Sequence, residues 1–201
     1  MALSPLTEQE EAVLVGRVLA GHSAAFGELI DAHSEWMMRV AFRMTRNEAT
    51  SEEMVQEAFF KTWKSLDHWQ PKARLSTWIY RILMNLCIDL ARKQQIHLVA
   101  PSDDDGTNKM GEDGRDLIEN HDIKERVWQA IEQLPSRQKA AFILCQYEGH
   151  SMAEAADIMA SSIGAIESLL IRAKMALRKT LANTAKDYIG ETPITKKIKT
   201  T

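Results

Sequence analysis

Apolar residues recur along the chain at spacings of three and four, the mark of helices that bury one face. Thr7, with Glu10 three residues on, reads as a capping box that opens a helix to about Ala20, closed by Gly21. A second helix is expected from about Ser23, with Phe26, Leu29 and Ile30 on one face, and a third from Trp36 to Arg46. A fourth begins at Ser51, its inward stripe made of Met54, Val55, Ala58, Phe59, Thr62 and Trp63. After the loop DHWQPKAR comes a long helix from about Leu75 to Gln95. No alternation of period two appears in this half, so no strand is predicted there.

The pattern breaks between Ile96 and Asp122. That stretch holds eight acids against two bases, with Gly, Asp and Ser prominent, and reads as a flexible acidic linker of about 30 Å reach. Helical spacing returns with Ile123, Val127, Ile131 and Leu134. Pro135 breaks the register and starts another helix, which Gly149 stops. Ser151 and Glu154 form a second capping box, and the turn Ala160–Ser162 leads into a longer helix with Ile166, Leu170, Ala173 and Leu177 inward. The expectation is all-α: a helical domain over 1–95, the linker over 96–122, a second domain over 123–185 and a disordered tail over 186–201.

Composition narrows the function. The net charge of −3 over 201 residues excludes a wholly electrostatic nucleic-acid binder, so any such surface must be local. Cys87 and Cys145 lie far apart in apolar helical stretches and read as buried, reduced thiols. No Cys, His, Asp or Glu cluster has metal-ligand spacing, and neither a metal nor another cofactor is expected. An acidic N-terminus and the lack of about 18 consecutive apolar residues point to a cytoplasmic protein without direct membrane contact.

Two stretches carry candidate chemistry. Residues 71–93 hold five bases (Lys72, Arg74, Arg81, Arg92, Lys93) against the single acid Asp89. Ile79, Leu83, Leu86 and Leu90 form an inward stripe, while Trp78, Arg81, Asn85, Asp89 and Arg92 share the other face. Cations beside aromatic rings suit single-stranded DNA, although spacing alone fits a solvated basic face equally well. The second stretch, a capped short helix, a tight turn and a longer helix, matches a helix-turn-helix, and an ordinary helical hairpin would look the same.

The order of these parts resembles the extracytoplasmic-function sigma factors, a family with regions two and four only, over roughly residues 12–95 and 123–183. SEEMVQEAFFKTWKSL resembles the segment that grips RNA polymerase, which implies core-enzyme contacts at Glu53, Gln56 and Glu57. The segment beginning RLSTWIYRI resembles the −10 element helix at Trp78, Ile79, Tyr80, Arg81, Ile82, Asn85, Asp89 and Arg92. AIEQLPSRQKAAFILCQYEGHSMAEAADIM resembles region four up to its first motif helix.

The resemblance implies a −10 surface made by Leu66, Asp67, His68, Trp69, Lys72, Arg74, Trp78, Arg81, Asn85 and Arg92, supported by Tyr80. It implies −35 contacts from Ser162, Gly164, Ala165, Glu167, Ser168, Arg172 and Lys174. It implies core polymerase, promoter DNA and an anti-sigma factor as partners, with no catalysis. Ala160 stands where the family usually has Gly, and Glu167, Leu169 and Ile171 stand where Lys, Arg and His are frequent. A free-standing helix-turn-helix regulator is the rival reading, and net charge opposes it; an enzyme would need a nucleophile–base pair or phosphate loop that the sequence lacks.

Overall fold

The structure, a computed structural model, describes residues 6–69, 74–97 and 118–190. Eight α-helices follow in order among them: α1 Glu8–Leu19, α2 Ser23–Thr45, α3 Glu48–Ser65, α4 Leu75–His97, α5 Ile118–Glu132, α6 Ser136–Phe142, α7 Met152–Ile158 and α8 Ile163–Gly190. Most of the expected linker and the last eleven residues, with the linker acids Asp103, Asp104 and Asp105, lie outside the described residues.

Helix ends follow from local chemistry. Thr7 accepts from the Glu10 N–H while Glu10 reaches back to the Thr7 backbone, so α1 carries the predicted capping box. The second predicted box, Ser151 with Glu154, opens α7. The second and third predicted helices are one continuous helix, α2. His33, Ser34 and Glu35 interrupt the apolar pattern, yet His33 is fully buried against Tyr80 and no backbone break is needed. The α3 cap is Asn47, whose side chain accepts from Thr50 N–H at 2.9 Å. Ser51, expected to open this helix, is buried and bonds instead to Thr45 Oγ1 at 2.7 Å and the Asn47 carbonyl at 2.6 Å.

Four further expectations differ in detail. Trp63, expected inward, is 45% exposed, with the Phe26 ring meeting it in a T-shaped contact at 4.9 Å between centroids. Cys145 is only half-buried, whereas Cys87 lies in the core with its thiol pushed up to about 12 by burial. α5 begins at Ile118, inside the segment read as linker. α8 runs to Gly190, beyond the expected start of the tail.

The largest apolar cluster draws on both halves of the chain. Leu29, Met37, Val40, Leu83 and Met84 from α2 and α4 join Ala140, Ile143, Leu144, Ile158 and Ile166 from the C-terminal half in one core. A smaller cluster of Ala130, Ile131, Leu134, Ala173 and Leu177 ties α5 to α8. Polar contacts reinforce this docking. The buried Lys139 ammonium donates to the Met44 carbonyl at 2.8 Å, at the C-terminal end of α2 where the helix dipole favours a cation.

Candidate nucleic-acid and polymerase interface

Three surfaces collect the residues singled out by the sequence. On α3, Glu53 and Gln56 are exposed, and the half-buried Glu57 pairs with Lys61 at 3.4 Å. Phe60, one turn on from Gln56, is 52% exposed. Sequence reasoning passed over it, yet two adjacent phenylalanines on one helix point about 100° apart, so only one can face the core. Phe59 is that one.

The basic-aromatic surface is built on α4 and the turn before it. Trp78 is half-buried and lines a shallow groove with Phe60, Lys61, Lys64, His68 and Ile82. Asp67 and His68 are exposed beside each other, 3.8 Å apart, and Asn85 is exposed two turns on from Trp78 along the same face of α4. Arg92 is exposed and pairs with Asp89 at 3.2 Å. Trp69 is half-buried against the core. Lys72 lies outside the described residues.

Several residues of that set are used internally. Leu66 is 2% exposed and packs in the core, so its role is to anchor the turn. Arg74 donates to the Leu6 carbonyl at 2.6 Å and pairs with the buried Glu11 at 3.5 Å, strapping α1 to the start of α4. Tyr80 does not face the surface. Its ring is fully buried, stacks on Trp36 at 3.8 Å between centroids, and hydrogen-bonds His33 at 3.0 Å. Arg81 donates from Nε at 3.0 Å and from Nη2 at 2.6 Å to the Asp157 carbonyl, in the last turn of α7.

α7, the turn and α8 make the third surface. Ala160 turns the chain with φ +46, and the Ser162 hydroxyl accepts from Ala165 N–H at 3.2 Å. The predicted inner stripe of Ile166, Leu170, Ala173 and Leu177 is buried. Gly164, Glu167, Ser168, Arg172 and Lys174 are exposed, Ala165 is half-buried, and the Ser168 hydroxyl donates to the Gly164 carbonyl at 2.9 Å. Over 163–182, four bases (Arg172, Lys174, Arg178, Lys179) oppose one acid, Glu167. Ile163, Ile171 and Met175 are also exposed on this helix, at 52%, 53% and 65%. Among the described residues no group of His, Cys, Asp and Glu could hold a metal ion, and no helix is long and apolar enough to cross a membrane.

Sigma-70 region 2 matches residues 29–96, and Sigma-70, region 4 matches residues 124–177. The Escherichia coli (strain K12) ECF RNA polymerase sigma-E factor is 30% identical over 190 residues, covering 86% of this chain and 93% of that protein. The chain belongs to the extracytoplasmic-function family of RNA polymerase sigma factors. The ECF RNA polymerase sigma factor SigW of Bacillus subtilis (strain 168) is 26% identical over 83% of this chain and 94% of its own length. Among solved structures, CnrH in complex with the cytosolic domain of CnrY matches with TM-score 0.62 at 22% identity, over 87% of this chain and 98% of that one. The sigma factor RpoE of Bartonella quintana, in complex with the anti-sigma factor NepR, matches with TM-score 0.58 at 23% identity, over 78% and 96% of the two chains. These two establish the fold. In family terms α2–α4 hold region two and α5–α8 hold region four.

Proposed function

We propose that the chain binds RNA polymerase core enzyme and directs it to promoters, reading a −10 element with region two and a −35 element with region four. The observation that carries this reading is the pairing, within one sigma-family chain, of a basic-aromatic α4 with a capped helix-turn-helix whose second helix is exposed and cationic. Glu53, Gln56 and Glu57 dock region two on the polymerase. Trp78, Asn85 and Arg92 face the non-template strand of the melted −10 element, joined by Asp67, His68 and Lys72. Unstacking a base costs a few kcal/mol, which stacking at ~1–3 kcal/mol per base and phosphate contacts offset. Ser162, Gly164, Ala165, Ser168, Arg172 and Lys174 approach the −35 major groove from the N-terminal half of α8, the part of a recognition helix that meets base edges. The protein works by binding, without catalysis, in the cytoplasm, and an anti-sigma factor is its regulatory partner.

Run-off transcription tests the reading. The purified chain with core enzyme should initiate at a dedicated promoter, and Glu57→Lys should weaken core binding. Tight, sequence-specific duplex binding by the chain alone, with no polymerase-dependent initiation, would overturn it in favour of a free-standing regulator.

A further inference from the structure

Two arginines one turn apart on α2, Arg39 and Arg43, meet a single carboxylate from region four. Arg39 donates from Nε and Nη2 to Glu148 Oε2, both at 3.2 Å, and Arg43 pairs with Glu148 Oε1. The Glu148 side chain is only 3% exposed there. Trp36 lies on the same face of α2, against Tyr80 and His150. On α4, Arg81 is met by another region-four oxygen, the Asp157 carbonyl. Three guanidiniums of region two therefore end on oxygens of region four, one anionic and one at the negative end of a helix.

This contact cannot persist on a promoter. Elements centred 10 and 35 base pairs upstream of the start lie ~85 Å apart at 3.4 Å per base pair, whereas α4 and α7 here share hydrogen bonds. Once α8 sits on one element and α4 on the other, Arg39, Arg43 and Arg81 lose their region-four oxygen partners, Arg39 keeping only its exposed pair with Glu35 at 3.3 Å, and Trp36 loses the cover of His150. A strip of cations with an aromatic ring is the chemistry that binds single-stranded nucleic acid.

We propose that Arg39, Arg43 and Arg81 form a phosphate track for the non-template strand, and that in the free chain the Glu148 carboxylate and Asp157 carbonyl occupy it in place of phosphates. Strand capture and region-four docking then compete for the same guanidiniums. The inference rests on the promoter reading above, adds Arg39 and Arg43 to the DNA surface, and makes the structure described here the unengaged form.

The test uses the full chain and a fluorescein-labelled oligo(dT) single strand, since phosphate contacts do not depend on sequence. Glu148→Lys should enlarge the radius of gyration in small-angle scattering and raise oligo(dT) affinity severalfold. The milder Glu148→Gln should move both in the same direction, which guards against misfolding of the lysine variant. Adding Arg39→Ala and Arg43→Ala to Glu148→Gln should cancel the gain and lower the slope of log affinity against log salt by ~1.4, about 0.7 for each phosphate lost. Variants that stay compact, expand without gaining affinity, or keep the gain without the two arginines would each overturn the proposal. Run-off transcription by the unaltered chain separates these outcomes: failure to initiate with core enzyme rejects the promoter reading itself, while normal initiation with no competition rejects only the shared track.

Discussion

The phenol of Tyr80 and the imidazole of His33 meet at 3.0 Å between α4 and α2, with neither ring exposed to solvent. Burial holds the His33 pKa down to about 4; the Glu11 carboxylate opposes this more weakly, and the Arg74 guanidinium adds a smaller lowering effect. In the unfolded chain the ring returns to about 6.5. Below that value the unfolded chain takes up a proton that the folded chain refuses until about pH 4. The His33 contribution is therefore complete above pH ~6.5 and is lost as pH falls toward 4. Between about pH 7 and about pH 5 the loss should be on the order of 2 kcal/mol. His150, also lowered chiefly by burial, acts in the same direction. Urea midpoints across this window should fall with acid, and His33→Gln, which can bond the phenol without titrating, should shrink the fall. An unchanged slope in that variant would remove His33 as the titrating group.

Ala160 adopts φ +46, a left-handed conformation that costs a residue bearing a Cβ about 1–2 kcal/mol. Ala160→Gly should raise stability by between about 0.5 and 1 kcal/mol, part of the relief being offset by the greater freedom of glycine in the unfolded chain. The urea or thermal midpoint reads this directly, and a fall would mean that the methyl group contributes packing beyond its strain.

Asn85 is exposed on α4, two turns on from Trp78, and is not among the α3 residues assigned to the polymerase. Asn85→Ala should therefore slow open-complex formation several times more than it weakens core binding. Permanganate footprinting follows melting, and a labelled-core titration follows binding. Normal melting in the variant would place the strand elsewhere.

Glu167 is the fifth residue of α8, which begins at Ile163. Dipole stabilisation of an acid fades beyond the first turn of a helix, so that account of the carboxylate is weak at this position. A carboxylate can instead accept from cytosine N4 in the major groove, with ~1–3 kcal/mol of discrimination. Glu167→Gln, run against a randomised −35 library, should change the preference at one position. A uniform change in affinity across the library would reject base reading by this residue.

What the sequence disclosed was chiefly what local chemistry decides. Both capping boxes, the inner stripe of α8 and the exposure of Gly164, Ser168 and Arg172 follow from spacing and polar side chains within one helix, and each is seen. What escaped depended on packing between helices. Tyr80 sits two residues after Trp78 and belongs by residue type to the basic-aromatic face, but Trp36 and His33 draw it into the core. Arg74 counts as a surface cation until Glu11, 63 residues earlier, is placed beside it. The docking of the two halves was hidden for the same reason. Arg39, Arg43 and Arg46 recur at i, i+4 and i+7, a pattern that spells an exposed basic stripe until Glu148, Glu132 and Glu125 arrive from the other end of the chain.

The turn that carries Glu148 is unusual in one respect. From Ile143 to Tyr147 the helix widens, so that the Glu148 N–H donates to the carbonyl of Ile143, five residues back. This coil holds one residue more than an α-turn, and one residue is worth about 100° of helical phase. Deleting any single residue between Ile143 and Tyr147 would let α6 continue as an ordinary α-helix, with better local hydrogen bonding, while swinging Glu148 and His150 away from α2. Lineages that lost this residue would gain local helix stability and at the same stroke uncouple their two DNA-binding regions. The length of this short turn is thus a setting through which insertion or deletion, rather than substitution, can retune how tightly the halves hold each other.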